Sequence, residues 1–258
     1  MHVTIDSPLA NGPSQIFYRT IDADALAGEG PPVVHLHGGW GYEVYPAPAI
    51  AARLVIPDRT GYGQSTRIAE LPPRFHEAAA IETEHFLDAI GLDRCVIWGH
   101  SDGAVIAAIM GLRDPARYRG IVLEALHRDR VKPRSRQFFT DMTEDPMRFG
   151  ARIANVLAQD HGESWQDVIR MGGRAWLAIA QTPDDDFFDG RFAELAPPVM
   201  VVHGADDPRT EPGELAWVRR ELPRARWEIV NGGGHCPHAH PRTAQAVGKL
   251  IEDFAKAV

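Results

Sequence analysis

The chain has 258 residues, 44% of them hydrophobic and 24% charged, with a formal net charge of −8. This is ordinary globular composition with length for one large core, and the acidic balance argues against nucleic acid as a general partner and against adhesion to an anionic membrane. No apolar run approaches the roughly twenty residues of a membrane span, and two cysteines, Cys95 and Cys236, are too few for a disulfide scaffold.

The opening residues, Met1-His2-Val3-Thr4-Ile5-Asp6, lack a basic stretch followed by an apolar core. No signal peptide and a reduced, cytoplasmic setting are therefore expected. Residues 3–6 and 15–20 read as strands of a hairpin turned at Ala10-Asn11-Gly12-Pro13. A polar, glycine-rich loop follows. Residues 31–37 and 52–57 are short, β-branched and bounded by proline or glycine, the pattern of buried strands. Residues 75–90 carry helical spacing and stop at Gly91. A strand over 94–98 runs through Gly99-His100-Ser101-Asp102-Gly103 into an apolar helix over 102–112, and 120–125 is another strand. The pattern then changes. Residues 127–190 show no buried strand; 145–160 and 164–181 read as amphipathic helices, and Asp184-Asp185-Asp186 as a loop. Strands resume at 197–204 and 226–230, separated by a helix over 214–222 and followed by one over 242–257. Alternating strands and helices predict a mostly parallel sheet covered on both faces. The expected organisation is one core built from residues 1–126 and 191–258, with 127–190 inserted as a helical cap over the strand ends, where open α/β sheets bind ligands.

The stretch that carries chemistry is Gly99-His100-Ser101-Asp102-Gly103. Strand before and helix after are the context in which Gly-x-Ser-x-Gly means a nucleophile elbow. A serine at the tip of so sharp a turn is held in a strained conformation, and its neighbours two residues away must be tiny. The turn lifts the hydroxyl out of the sheet, beside the free N–H groups that begin the helix. A serine hydroxyl is a weak nucleophile, so it needs a base, and the base needs an orienting acid. Two downstream loops offer them. Gly204-Ala205-Asp206-Asp207-Pro208 follows one strand and supplies Asp206 or Asp207; Asn231-Gly232-Gly233-Gly234-His235 follows the next and supplies a histidine on a pliant loop.

With these residues the chain resembles the α/β-hydrolase superfamily over nearly its whole length. The resemblance rests on His37-Gly38-Gly39-Trp40 after a strand, Asp58-Arg59-Thr60-Gly61-Tyr62-Gly63-Gln64-Ser65, the elbow, Gly204-Ala205-Asp206-Asp207-Pro208, and Gly233-Gly234-His235-x-x-His238, in that order. It implies Ser101 as nucleophile, His235 as base and Asp207, in preference to Asp206, as acid. It also implies an oxyanion hole from the backbone N–H of Asp102 and that of Gly39 or Trp40. Gly39 fits because a side chain there would crowd the acyl group. The implied activity is acyl transfer, most simply hydrolysis of a small carboxylic ester, by a monomer or homodimer that uses no cofactor. The alternatives are the same fold with other chemistry (hydrolysis of a carbon–carbon bond, thioester or lactone, or perhydrolase activity) or a catalytically silent binding protein.

Several other features carry weaker signals. Asp58-Arg59-Thr60-Gly61-Tyr62-Gly63 lacks the third glycine of a dinucleotide fingerprint and reads as a structural turn. His235-x-x-His238-x-His240 and His35-x-His37 invite a metal, but Pro237 and Pro241 deny the first cluster a regular helix face, and no metal is expected. His37 and His100 are expected to brace the loops of the pocket, with His100 and Trp40 as candidate substrate contacts. The carboxylate of Asp102 suits a helix start, where negative charge is stabilised by about 0.5 kcal/mol. Arg128, Arg130, Lys132, Arg134 and Arg136 alternate along a proline-containing stretch and read as a solvated edge of the insertion, or else as an attractor of anionic substrates. Trp40, Tyr42, Tyr45, Phe138, Phe139, Trp165 and Trp176 are candidates to line an apolar pocket.

Overall fold

The computed structural model describes residues 1–21, 30–182 and 186–258. The polar loop expected after the hairpin, and the Asp184-Asp185 part of the acidic loop, lie outside the described residues. Eight strands form one sheet: β1 (His2–Ser7), β2 (Gly12–Ile21), β3 (Val33–Leu36), β4 (Leu54–Pro57), β5 (Val96–His100), β6 (Gly120–Glu124), β7 (Val199–Gly204) and β8 (Arg226–Val230). Their spatial order is β1-β2-β4-β3-β5-β6-β7-β8. β2 pairs antiparallel with both β1 and β4, and every other pairing is parallel. Strands β3 to β7 are buried along their whole length, as expected of parallel strands covered on both faces.

Strand alternation divides the core in two. Val34, Leu36, Ile97, Leu123 and Val201 face one side, against α1 (Phe75–Ala89) and α2 (Asp102–Arg113). Val33, Val96, Trp98, Val122 and Val202 face the other, against Val247, Ile251 and Phe254 of α7 (Ala244–Ala257). α2 is buried from Asp102 to Leu112. A helix apolar all round can persist only when wrapped on every side.

The insertion between β6 and β7 is helical: α3 (Arg136–Glu144), α4 (Ala151–His161) and α5 (Trp165–Ile179). Here the structure departs from the sequence pattern twice. The helix expected over 145–160 is broken, because Pro146 opens a separate short turn capped by Asp145 and Gly150 sits at φ 87°. α3 was not anticipated; nine residues with apolar Phe138, Phe139 and Met142 give too short a period to read.

The basic stretch that leads into the insertion is a solvated edge only in part: Arg128, Arg134 and Arg136 are exposed, but Arg130 and Lys132 are buried. Lys132 donates to both oxygens of Glu214, at 3.0 and 2.7 Å, with both side chains only 1% exposed. Glu214 begins α6 (Glu214–Glu221) and also accepts the backbone N–H groups of Arg128, Asp129 and Glu211. Arg130 is buried and donates to Thr182. Arg130 and Lys132 turn inward on either side of exposed Val131, while Arg128 lies over the Trp217 ring. His161 bolts the insertion to the core: its Nδ1 accepts from Gly63 N–H, and its Nε2–H donates to the Trp40 carbonyl. Among the described residues no helix is long and apolar enough to cross a membrane.

A second buried pair stands at the end of β6. Glu124 accepts from His238 at both the ring Nδ1 (2.8 Å) and the backbone N–H (3.0 Å), and from Trp98 Nε1 (2.8 Å). The other ring nitrogen of His238 donates to the Tyr45 carbonyl, so both nitrogens carry hydrogen and the ring is an imidazolium. Burial alone would raise the Glu124 carboxyl, but His238 outweighs it and holds the group near 2. Burial alone would lower His238, but Glu124 outweighs it and the net shift is upward. Glu124 thus adds stability that is full above its ordinary 4.5 and is lost as pH falls toward 2. His238 adds stability that is full below its ordinary 6.5 and is lost as pH rises through its folded value. Removing one partner of a buried pair leaves the other charge uncompensated, so Glu124→Gln should cost about 3–5 kcal/mol in urea unfolding. The difference from wild type should be largest between pH 4.5 and 6.5 and shrink on either side. A difference below about 1 kcal/mol, or one that grows above that window, would contradict the pairing.

Candidate active site

β5 passes into α2 through Ser101, whose φ of 56° and ψ of −116° lie where an L-residue is strained. Neighbours enforce the shape. A Cβ on Gly99 would stand 2.0 Å from the Gly103 carbonyl oxygen, and one on Gly103 would stand 2.0 Å from that of Leu36. The Ser101 N–H is held by the Glu124 carbonyl at 2.9 Å. The hydroxyl therefore has one direction left, out past the ends of β3, β5 and β6.

The loops after β7 and β8 converge on it. A Cβ on Gly204 would lie 1.9 Å from the Gly234 carbonyl oxygen, so a glycine there lets the two loops pass in contact. His235 Nε2 lies 3.1 Å from Ser101 Oγ, and His235 Nδ1 lies 2.9 Å from Asp207 Oδ2. The second oxygen of Asp207 accepts the Arg209 N–H at 2.8 Å. Asp206 is exposed and accepts the Gly234 N–H instead, so of the two candidate acids Asp207 is the one against the imidazole. Burial would raise the Asp207 carboxyl, but its bonds to His235 and to the Arg209 N–H, with His203 nearby, hold it well below the usual range. Burial and the nearby Arg209 charge lower His235 to about 4, against the opposing pull of Asp207.

Ser101 has a second imidazole that sequence reasoning missed. His127 Nε2 stands 3.2 Å from Ser101 Oγ, and its ring stacks on His235 at 17° and 5.3 Å. Asp207 fixes the His235 proton on Nδ1, so the Ser101 hydroxyl donates to His235 Nε2 and the Nε2–H of His127 donates to Ser101 Oγ. Burial, with Lys132 and His235 nearby, keeps His127 far below its ordinary value and so neutral. The available signal was positional: His127 follows the end of β6, where ligands sit on such sheets.

Gly39 and Asp102 both line the cavity at Ser101. The reason for glycine at 39 differs from the expected one. A Cβ there would approach Asp102 Oδ2 to 3.0 Å, so the crowding is with the carboxylate rather than with an acyl group. That carboxylate is fully engaged: Trp176 Nε1 donates to it at 2.9 Å, His76 Nε2 lies at 3.4 Å and the Arg59 guanidinium at 3.7 Å. Burial opposes its charge, but His76, Arg59 and Trp176 together hold it near 2. Asp102 thus ties the elbow to α1 and to α5 of the insertion. The Asp58–Ser65 segment is the turn that presents Arg59; a Cβ on Gly63 would fall 1.8 Å from Asp58 Oδ2.

The cavity over Ser101 is tight, about 20 Å³. Trp40, Tyr45, Phe138, Phe139 and Trp176 line it, whereas Tyr42 and Trp165 do not. His100 also lines it; its Nε2–H donates to the His235 carbonyl at 3.0 Å and so braces the histidine loop. Burial, with His238 beside it, takes His100 down to about 3. His37 is neutral too, giving Nδ1–H to the Gly38 carbonyl and accepting Arg59 N–H at Nε2. His238 is committed to Glu124, and among the described residues no group of three or more His, Cys, Asp or Glu side chains is placed to hold a metal ion. Burial pushes the Cys236 thiol up, away from a reactive thiolate.

Known proteins match the chain over most of its length. A family model described as the alpha/beta hydrolase family matches residues 33–246. The chain is 26% identical to a 2-hydroxy-6-oxononadienedioate/2-hydroxy-6-oxononatrienedioate hydrolase of Pseudomonas putida, with 86% of each chain covered. It is 24% identical to a pimeloyl-(acyl-carrier protein) methyl ester esterase of Nitrosospira multiformis, over 81% of this chain and 89% of the relative. Among solved structures, a thermophilic esterase from Thermogutta terrifontis superposes with a TM-score of 0.69 at 17% identity, covering 99% of both chains.

An imidazole placed as His235 is, between Ser101 and Asp207, can accept a proton only while neutral, and its depressed value carries that condition into acid. The rate at which a fluorophosphonate inactivates Ser101 should stay flat from about pH 8 to about pH 6 and fall by half only near the His235 value of about 4. Circular dichroism at each pH separates this from unfolding. A midpoint at or above the ordinary 6.5 would contradict the buried environment of His235.

Proposed function

The chain belongs to the alpha/beta hydrolase family, and we propose that it cleaves a small carboxylic ester through an acyl-enzyme on Ser101. The observation that carries this reading is the unbroken chain of contacts, Ser101 Oγ to His235 Nε2 at 3.1 Å and His235 Nδ1 to Asp207 Oδ2 at 2.9 Å. Ser101 Oγ attacks the carbonyl carbon while His235 Nε2 takes the hydroxyl proton, and Asp207 holds the tautomer and balances the imidazolium. The backbone N–H groups of Gly39 and Asp102 receive the oxyanion; losing one such donor typically costs about 3 kcal/mol of barrier. His235 returns its proton to the departing alkoxide. Water then enters, and its oxygen attacks the acyl carbon as His235 Nε2 takes a proton from it; the bond to Ser101 Oγ breaks, His235 returns the proton to Oγ, and the acid leaves. No step calls for a cofactor.

Residues 127–190 act as the lid in this reading. Phe138, Phe139, Met142 and Trp176 come from it and wall the cavity. A cavity of about 20 Å³ has room for little more than one water, so an acyl group enters only as that wall shifts, and a short group requires the smaller shift. A carbon–carbon bond hydrolase of dicarboxylic substrates is the second reading, favoured by the name of the Pseudomonas putida relative. Both readings use the same serine and differ in the bond presented to it.

A panel of p-nitrophenyl acetate, butyrate and octanoate tests the proposal. The wild type should turn over the short esters fastest, and Ser101→Ala should lose about 10⁴-fold or more in kcat. An alanine variant at the wild-type rate, or no turnover of any ester, would overturn the ester reading.

A further inference from the structure

We propose that the site selects substrates carrying a carboxylate beside the scissile acyl group, and that Arg209 is the residue that binds it. This rests on the acyl-transfer reading above and names its substrate class as the half-esters of short dicarboxylic acids.

Arg209 stands two residues after Asp207 and lines the same cavity as Ser101, His127 and His235. Its guanidinium lies over the Phe138 ring, 3.7 Å from the centroid. Stacking of this kind uses the face of the planar cation and leaves its edge, a fork of N–H donors matched to a carboxylate, free to bind. Among the described residues no carboxylate takes that fork. Asp207 is occupied by His235 and by the backbone N–H of Arg209. Asp206 turns to Gly234. Asp102, the other carboxylate on the cavity wall, is held by Trp176, His76 and Arg59. The cations at the entrance of the insertion are already engaged, Lys132 with Glu214 and Arg130 with Thr182.

This placement leaves a charge at the cavity that a ligand carboxylate can complement. In a chain with 35 acidic and 27 basic residues, half-buried Arg209 faces a cavity of imidazoles and aromatic rings, and the carboxylates nearest it, Asp207 and Asp102, are taken by other partners. The stacked Phe138 belongs to α3 of the insertion, so a carboxylate on Arg209 would be clasped between core and insertion, with its acyl carbon directed at Ser101. Arg209 also lowers the basicity of His235. A bound carboxylate offsets that charge and makes the base stronger when the right substrate is present. The anion-attracting role considered for the basic stretch 128–136 therefore passes to a residue outside it.

The test compares monomethyl and dimethyl esters of succinate, glutarate and adipate. Wild type should favour at least one half-ester over its diester by about tenfold or more in kcat/KM. Arg209→Met should lose about 100-fold on that half-ester, the size of one charge-assisted bidentate contact, and at least tenfold less on the diester. Arg209→Lys, which keeps the charge but not the fork, should fall between. Equal losses on both esters, or no half-ester preference in wild type, would overturn the proposal. Calorimetry of the half-esters with Ser101→Ala separates the two claims. Binding by Ser101→Ala that is lost in Ser101→Ala/Arg209→Met supports the carboxylate site even if no ester is hydrolysed. Hydrolysis of neutral esters with no half-ester binding retains the esterase reading and rejects the site.

Discussion

A residue with a side chain sits at φ 56° at the end of β5, and it stays there because the backbone has no room to relax. Gly103 of α2 lies so close to the end of β3 that any side chain would collide with the Leu36 carbonyl, and Gly99 is closed off in the same way by Gly103. A non-glycine residue in such a region costs about 1–3 kcal/mol and persists only when its surroundings over-determine it. Here they do: sheet, helix and the Glu124 carbonyl fix Ser101 from three sides. With the serine immobile, the rest of the site is a matter of bringing loops to it. Gly204 lets the loops after β7 and β8 touch, which sets Asp207 and His235 in line with the hydroxyl.

The surrounding charges do structural work at the same spot. Asp102 joins the elbow to α1 and to Trp176 of the insertion; Glu124 and His238 join the end of β6 to the histidine loop and to Tyr45; Lys132 and Glu214 anchor the entrance of the insertion. Each is a buried charge satisfied by several donors or acceptors, the condition under which burial of an ion is tolerated. Their common effect is to fix the strand ends and the insertion against one another. The cavity they frame is consequently tight and keeps His100, His127 and His235 neutral through burial.

Much of this was legible in the chain because its signals are local. The buried strands are short β-branched runs, the elbow is five residues with a strand before and a helix after, and the order Ser101, Asp207, His235 follows the strand ends. Asp207 and Asp206 could be ordered only by resemblance; distance separates them, since one meets His235 and the other Gly234. The insertion was less legible. Its helix α3 is too short for a period, and Gly150 breaks what reads as one helix. Arg130 and Lys132 looked solvated because charge normally is, and the carboxylate that takes Lys132 lies 82 residues further on. His127 and Arg209 were missed for a related reason. Each is a lone residue just past a strand end, and what makes it part of the site is the convergence of loops distant in sequence.

The central claim is that Ser101, activated through His235 and Asp207, carries the acyl group. Rapid acid quench of the enzyme with p-nitrophenyl acetate, followed by peptide mass mapping, reads this directly. An acetyl adduct on the peptide containing Ser101, formed before steady state and absent from Ser101→Ala, is the predicted result. No adduct during turnover, or an adduct on another residue such as His127, would contradict it.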